Sequence, residues 1–233
     1  DKLHIERYQD DTGFFGFLDT IDDVEVVKAL LDASAEWLKR HGMKKMRGPM
    51  SLSINEEMGC LVEGFDTPPA ILMPHSRTYQ GGLIEAAGLV KEKDVFAWKY
   101  QVGEPPTRAR KAHTDVMQMP EVKIRSMDKS NMEAETRMVM RIFNDVWQDN
   151  WGFVPMTESE LKKMAADLKL ILVPDLALVA EINGEPAAMS IALPNINEMI
   201  KDLDGKLFPF GVFKLLYRLK MKPANSARLI LLG

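Results

Sequence analysis

The stretch Ala177-Leu-Val-Ala-Glu-Ile-Asn-Gly-Glu-Pro-Ala-Ala-Met-Ser-Ile-Ala-Leu193 contains two apolar runs separated by an Asn-Gly pair. Asn-Gly favours the type I′ turn, whose twist matches that of two antiparallel strands. Pro186 suits the first position of a strand, because it has no amide to donate to the sheet. This stretch therefore predicts a β-hairpin.

The segments on both sides of the hairpin alternate between strand and helix patterns. Before it lie a strand at Val122–Arg125, an amphipathic helix from Met132 to Asp149, and a second helix that begins at the capping box Thr157-Glu-Ser-Glu160. After it lie helical apolar patterns within residues 195–222 and a strand at 226–232. This order predicts an α/β (α+β) fold, with a mixed sheet flanked by helices.

Residues 13–100 predict another set of strands and helices. In order, we expect a strand at Gly13–Leu18, a helix capped by Asp22 and stopped at Gly42, a strand at Lys45–Met50, a long loop at Ser51–Pro69, a helix capped by Ser76, and a closing strand at Asp94–Tyr100. Residues 103–120 are polar and proline-bearing and lack an apolar period, which predicts a linker.

The composition excludes several classes of function. A net charge of −4 and a pI near 5.7 give no broad basic face for nucleic acid. The single cysteine, Cys60, forms no internal disulfide, which favours the reducing cytoplasm. No apolar run approaches the roughly 20 residues that cross a bilayer, and the histidines lack the spacing of a metal site. We therefore predict a cytoplasmic protein with no membrane span, no metal and no nucleic-acid partner.

Several short motifs resemble one protein superfamily. They are Gly13-Phe-Phe-Gly-Phe17, Gly48-Pro49, Asn55-Glu-Glu-Met-Gly59, Glu63-Gly-Phe65, Tyr79, Glu85-Ala-Ala-Gly88, Asn144-Asp-Val-Trp147, Asn150-Trp-Gly-Phe-Val-Pro155 and Leu193-Pro-Asn195. With the order of the elements, they resemble a bacterial family of tandem proteins of the GNAT (N-acetyltransferase) superfamily.

The resemblance implies two partial repeats. Residues 1–102 would be the C-terminal half of a degenerate first unit, and residues 121–233 the N-terminal half of a second, with 103–120 as the linker and 195–222 as a helical insertion. The first residue is not Met and the last predicted strand stops at the end of the chain, so we expect a fragment at both ends.

The resemblance also implies acetyl-CoA, or another acyl-CoA, as the cofactor. In the GNAT superfamily a glycine-rich loop after the fourth strand holds the pyrophosphate with backbone amides at a helix N-terminus. In the second unit that strand ends at Leu231, Leu232 and Gly233, which we assign to cofactor binding. In the first unit the matching segment, Asp19–Asp23, carries three carboxylates, which repel a pyrophosphate. We expect the first unit to be non-catalytic.

The candidate site residues fall into two groups. Acyl transfer to an amine uses a general base and a proton donor to the leaving thiolate. The catalytic candidates, all in the first unit, are Glu56, Glu63 and Tyr79. The substrate-binding candidates, all in the second unit, are Asn144, Trp147, Trp151, Asn195 and Asn197. Structural alternatives are a solvated acidic loop for the glutamates, a tryptophan cap on the core, and helix capping by Asn195.

We expect the parent protein to be an acyl-CoA-dependent N-acyltransferase acting on a small-molecule or peptide amine, with an incomplete catalytic unit in this chain. The alternative is a non-catalytic GNAT-like module that binds a small ligand or serves as a scaffold. A third alternative pairs Gly13–Leu18 near Ala227–Leu232 in one rearranged sheet, and a homodimer remains open. For the basic amphipathic helix within 195–222 we favour a packing role over contact with a membrane surface.

Overall fold

The structure is a computed structural model that describes residues 1–222 and 224–233. These residues form two compact units. Unit 1 comprises residues 1–96 and 150–155, and unit 2 comprises residues 97–149 and 156–233. Both units mix helices with strands, which confirms the predicted α/β (α+β) class.

Unit 1 combines helices with short pairs of strands. Its elements are α1 (Lys2–Tyr8), β1 (Thr12–Phe14), α2 (Val24–Arg40), β2 (Lys45–Arg47), β3 (Met50–Ser51), β4 (Glu57–Met58) and α3 (Gln80–Ala86). β1 pairs with β2 in parallel, and β3 pairs with β4 in antiparallel. The core forms where Val27 and Leu31 of α2 pack with Phe15 and Ile84. The apolar residues that recur at the predicted helical spacing in α2 thus face the core.

Three boundaries predicted for unit 1 are wrong. Asp23 rather than Asp22 caps α2, because its side chain accepts from the amide of Glu25 at 2.9 Å. The first strand ends at Phe14 instead of Leu18, and Phe17 has a positive φ of 52° that no regular strand adopts. Ser76 does not cap α3; its hydroxyl accepts from the amide of Leu61 at 3.0 Å.

The predicted closing strand of unit 1 is also wrong. Residues 94–100 form neither helix nor strand, although their sequence alternates in the way strands do. Several of their large side chains, including Val95, Trp98 and Tyr100, are strongly exposed. A strand needs a neighbouring strand edge to satisfy its amides, and no sheet of the described residues provides one for this segment.

Unit 2 is built on one antiparallel sheet. Its elements are α4 (Thr107–Met117), β5 (Val122–Ser126), α5 (Met132–Val146), α6 (Glu158–Leu168), β6 (Ala177–Ile182), β7 (Glu185–Pro194), α7 (Ile196–Ile200), α8 (Gly211–Met221) and β8 (Ala227–Leu232). The strands lie in the order β5-β6-β7-β8, so that each pairs with its neighbour in sequence. The predicted linker at 103–120 contains α4, a helix without a buried residue that the sequence did not predict.

The hairpin of β6 and β7 is confirmed. Asn183 and Gly184 have φ angles of 53° and 81°, the two positive values that a type I′ turn requires. One face of the hairpin is fully buried, with Val179 and Leu193 at 0% exposure. This face lies under α5, whose apolar stripe includes the buried Val139. The hairpin and α5 therefore form the core of unit 2.

The capping box at the start of α6 is also confirmed. Thr157 Oγ1 accepts from the amide of Glu160 at 3.2 Å, and Glu160 Oε2 accepts from the amide of Thr157 at 2.8 Å. The third alternative of the sequence is contradicted, because the described residues pair β1 with β2 and β8 with β7, in different sheets.

Candidate functional site

A small, open apolar groove lies in unit 2 between α5, α6 and the β7–β8 side of the sheet. Its lining residues are Met127, Met132, Thr136, Val139, Leu161, Met164, Ala165, Lys169, Leu172, Ile191, Ile230 and Leu231. Lys169 is the one charged side chain in this set, and three members are methionines, whose unbranched thioether chains adapt to ligands of different shapes. The groove is therefore suited to a flexible apolar ligand.

A β-bulge in β8 shapes this groove. Leu231 pairs with Ile191 and Leu229 pairs with Ala192, which leaves Ile230 as the extra residue between them. In a regular strand, consecutive side chains point to opposite faces of the sheet. The bulge changes this locally, so that Ile230 and Leu231 both line the groove. The sequence did not predict this, because a bulge depends on how the two strands pair.

The end of β8 lies against the end of α5. The indole of Trp147 donates to the carbonyl of Leu232 at 2.9 Å, and Gly233 exchanges backbone hydrogen bonds with Met189 of β7. A Cβ added to Gly233 would lie 3.4 Å from Ile142, so the strand end packs closely on the helix. Trp147 and the three residues assigned to cofactor binding, Leu231, Leu232 and Gly233, thus lie together next to the groove.

A polar network joins the end of β7 to the start of β8. Asn195 is buried and caps α7 by accepting from the amide of Asn197 at 3.3 Å, which confirms the capping alternative. Its amide group donates to Ser226 Oγ at 3.2 Å. Glu198 accepts from the Ser226 hydroxyl and from the amide of Asn225, and these hydrogen bonds lower the pKa of its carboxyl group. The network holds a carboxylate ionised beside two of the predicted residues.

The remaining substrate-binding candidates do not form one cluster. Asn144, on α5, accepts from the amide of Met156 at 3.2 Å, which ties the loop before α6 to the helix. Trp151 belongs to unit 1, where Arg47 and Lys93 lie over its ring at 5.5 and 5.2 Å. The predicted group of Asn144, Trp147 and Trp151 is therefore divided between the two units.

The catalytic candidates all belong to unit 1, whereas the residues that line the groove belong to unit 2. Tyr79 donates its hydroxyl proton to the carbonyl of Thr20 at 2.7 Å, which supports the loop before α2. Glu63 is exposed in the loop, and Glu56 is partly buried. A catalytic role for these three residues stays a prediction.

The N-terminus of α2 has its own anionic partner. Asp23 accepts from the second amide of the helix at 2.9 Å, and a carboxylate at this end of a helix is stabilised by the helix dipole. A pyrophosphate at the same place would compete with this carboxylate for the amide and would be repelled by it. That unit 1 does not hold the pyrophosphate stays a prediction.

Two further polar clusters were not predicted. In unit 1 the buried His4 lies 3.1 Å from Asp10, and burial lowers the pKa of its imidazole despite this carboxylate. In unit 2 Arg125 of β5 pairs with Glu135 of α5 at 2.8 Å and with Glu181 of β6 at 2.5 Å. The Arg125 cluster joins three separate elements and leaves no local signal in the sequence, whereas His4 and Asp10 are only six positions apart.

Among residues 1–222 and 224–233, no three or more His, Cys, Asp or Glu side chains are grouped as metal ligands would be. In the same part of the chain, every helix is too short or too polar to cross a membrane.

Two curated proteins are similar to this chain. Over 234 residues, which cover all of the chain and 60% of the relative, it is 45% identical to "Protein YghO" of Escherichia coli (strain K12). Over 222 residues, 95% of the chain and 58% of the relative, it is 43% identical to "Bacterial ceramide synthase" of Caulobacter vibrioides (strain NA1000 / CB15N). The chain thus spans about 60% of the length of these relatives. No family model and no solved structure matches it, so the resemblance to the GNAT superfamily stays a prediction.

Proposed function

We propose that this chain is part of a GNAT-type, acyl-CoA-dependent N-acyltransferase that attaches a long acyl chain to the amine of a lipid. One observation carries the proposal: an apolar groove ends at β8 in a chain 43% identical to a protein named bacterial ceramide synthase. A ceramide is an amino-alcohol lipid whose nitrogen carries a fatty acyl chain as an amide. Such a product requires a site for a long acyl chain.

The apolar lining of the groove favours the acyl part of the proposed substrate. Val139, Ile191 and Leu231 give it apolar walls, and burial of each CH₂ group of an acyl chain contributes about 0.8 kcal/mol. The end of β8 would hold the thioester portion, because Leu231 to Gly233 adjoin the groove and Trp147 fixes the carbonyl of Leu232. We assign the pyrophosphate to no described residue of this chain.

The proposed reaction is a transfer of the acyl group from sulfur to nitrogen. The lone pair of the neutral amine attacks the thioester carbonyl, the new C–N bond forms, and the C–S bond breaks. The amine loses one proton to a general base, and the leaving thiolate takes up one proton, so that an amide and free CoA result.

The test compares ligands that differ in their acyl chain. Calorimetry with hexadecanoyl-CoA, acetyl-CoA and CoA should give at least tenfold tighter binding for hexadecanoyl-CoA, because only its chain fills the groove. Ala165→Phe narrows the groove and should abolish this preference. Its neighbour Ala166 is exposed on the same helix, and Ala166→Phe is the matched control. Equal affinity for all three ligands would contradict the proposed acyl site.

A second candidate function is a non-catalytic module that binds a lipid or acyl ligand. It is favoured by the lining of the groove, which contains Lys169 but, among the described residues, no Asp, Glu, His or Tyr that could act as an acid or base. Incubation with hexadecanoyl-CoA and a long-chain 2-amino-1,3-diol, followed by mass spectrometry, separates the two. Formation of the N-acyl product supports the transferase, whereas binding at the groove without product supports the module.

A further inference from the structure

The segment around α8 exposes an unusual number of large apolar side chains. Phe208, Phe210 and Phe213 are 82, 78 and 67% exposed, and Leu216, Tyr217 and Met221 are exposed as well. We call these six residues the outer face of α8. Single exposed apolar residues are common on soluble proteins, but a contiguous aromatic group marks a surface for interaction.

The outer face is opposite the side of α8 that packs on unit 2. Val212, Leu215 and Leu219 recur at helical spacing and are half-buried, and α8 contacts α7. Phe213 and Tyr217, one turn apart, point the other way. The packing role that we favoured from the sequence therefore accounts for one side of the helix and leaves its aromatic side exposed.

An ion pair fixes which side of α8 faces outward. Arg218 donates to both carboxylate oxygens of Asp202 and to the carbonyl of Met199, and Lys214 also donates to Asp202. The Arg218 pair is bidentate, which restricts rotation of the helix about its axis. The exposed aromatic side is thus held outward by specific contacts on the opposite side.

The segment that carries the outer face is basic. Residues 205–222 include five cationic side chains and no Asp or Glu, in a chain whose net charge is −4. Asp202 pairs with two of them, Lys214 and Arg218. Within the described residues, Lys206, Lys220 and Lys222 have no ion pair, and the exposed Lys220, three positions after Tyr217, lies on the same side of α8 as Phe213 and Tyr217. This charge is complementary to an anionic surface.

We propose that the outer face of α8 docks the protein on the surface of an anionic lipid bilayer, with the helix lying in the plane of the headgroups. Aromatic rings lie favourably at the boundary of headgroups and acyl chains, and lysines reach from there to anionic headgroups. A second copy of the chain is a poorer occupant, because a symmetric contact would bring the two sets of lysines together. The inference does not require the proposed acyltransferase activity.

Sedimentation with vesicles tests the docking. The whole chain should pellet with vesicles of phosphatidylcholine and phosphatidylglycerol at 3:1 and remain largely in the supernatant with phosphatidylcholine alone. Each cationic residue near an anionic surface contributes roughly fivefold to the partition coefficient. Lys220→Glu with Lys222→Glu should therefore reduce the partition at least about tenfold, and 0.5 M salt should have a similar effect.

A second pair of substitutions tests the aromatic part. Phe213→Ser with Tyr217→Ser should reduce the partition roughly tenfold, because two large apolar side chains no longer enter the bilayer. Matched controls are Trp98→Ser with Tyr100→Ser, which remove exposed aromatic residues elsewhere, and Lys2→Glu with Lys99→Glu, which change the same charge elsewhere. Circular dichroism of each variant establishes that the fold is kept.

Three outcomes would overturn the docking. The first is equal binding to both kinds of vesicle, and the second is an equal loss in the test and control variants. The third is a change from dimer to monomer in Phe213→Ser with Tyr217→Ser while vesicle binding stays the same, which would assign the outer face to self-association. None of these outcomes depends on acyl transfer or on the binding of acyl-CoA.

Discussion

Unit 1 and unit 2 reach a stable core by different means. Unit 2 joins its strands into one four-stranded sheet, in which Val179 and Leu193 are wholly buried beneath α5. In unit 1 the strands are two or three residues long and occur in separate pairs, and the core depends on α2 and a few side chains around it. In unit 2 the strands β7 and β8 at one side of the sheet line the groove, while β6 and β7 contribute buried residues to the core.

The long loops of unit 1 are held by individual hydrogen bonds. Tyr79 donates to Thr20, Gln80 donates to Leu18, and Ser76 accepts from Leu61. Bonds of this kind contribute about 1 kcal/mol each, and each depends on one pair of residues. The sheet of unit 2 instead shares its stabilisation among many paired residues. We therefore expect single substitutions in the two units to change the free energy of unfolding by different amounts.

The largest effect is expected in the sheet of unit 2. Leu193→Ala removes a side chain that is 0% exposed, and loss of transfer energy together with the cavity should lower the free energy of unfolding by about 3–4 kcal/mol. The matched control is Leu178→Ala, since Leu178 lies on the exposed face of the same hairpin. Chemical denaturation measures both changes. A loss below about 1 kcal/mol for Leu193→Ala would contradict the central place of this face in the core.

A smaller effect is expected in unit 1. Leu31→Ala opens a cavity against Phe15 and Val27 and should cost about 2–3 kcal/mol, with faster hydrogen exchange in α2 and α3. Leu30→Ala, at the neighbouring position that is 46% exposed, should cost less than about 1 kcal/mol. If Leu31→Ala matched or exceeded Leu193→Ala, the contrast between the two cores would be wrong.

The smallest effect concerns the ion pair that holds α8. Hydrogen bonds from Arg218 and Lys214 hold the pKa of Asp202 well below its usual value of 3.8. Because the folded pKa is depressed, the stabilisation is present above pH 3.8 and is lost as the pH falls from there toward the folded value. Asp202→Asn should flatten this part of the acid unfolding profile. Asp204→Asn, two residues away at an exposed turn, should leave it unchanged.

Short sequence motifs correctly predicted the elements whose geometry depends on residues close together in the sequence. Asn183-Gly184 gave the type I′ turn, and the capping box at Thr157 and Glu160 fixed the start of α6. Asn195 caps α7 as one alternative stated. The wrong boundaries arose where a side chain that can cap a helix makes another hydrogen bond, or where the neighbouring residue caps the helix. Asp22 and Ser76 have side chains that can cap a helix. In the structure, however, Asp23 caps α2, and the hydroxyl of Ser76 accepts from the amide of Leu61.

The site was predicted only in part for the same reason. Leu231, Leu232 and Gly233 were placed at the end of a strand, and Trp147 was placed near it, because each follows from an element boundary. The bulge at Ile230 and the methionines of the groove were missed, since both depend on the pairing of β7 with β8 and on the packing of α5 against α6. Residues 94–100 alternate like a strand and form none.

By itself, the sequence determined the order of strands and helices from β5 to β8, the hairpin turn and the caps of α6 and α7, because period and capping chemistry act over a few residues. Only the tertiary structure decided which side chains line the groove and which side of α8 is exposed. Because of the bulge, Ile230 and Leu231 both line the groove. The ion pair of Arg218 with Asp202 holds the side of α8 opposite the exposed aromatic residues. Both depend on contacts between residues that are distant in the chain, and such contacts leave no periodic signal.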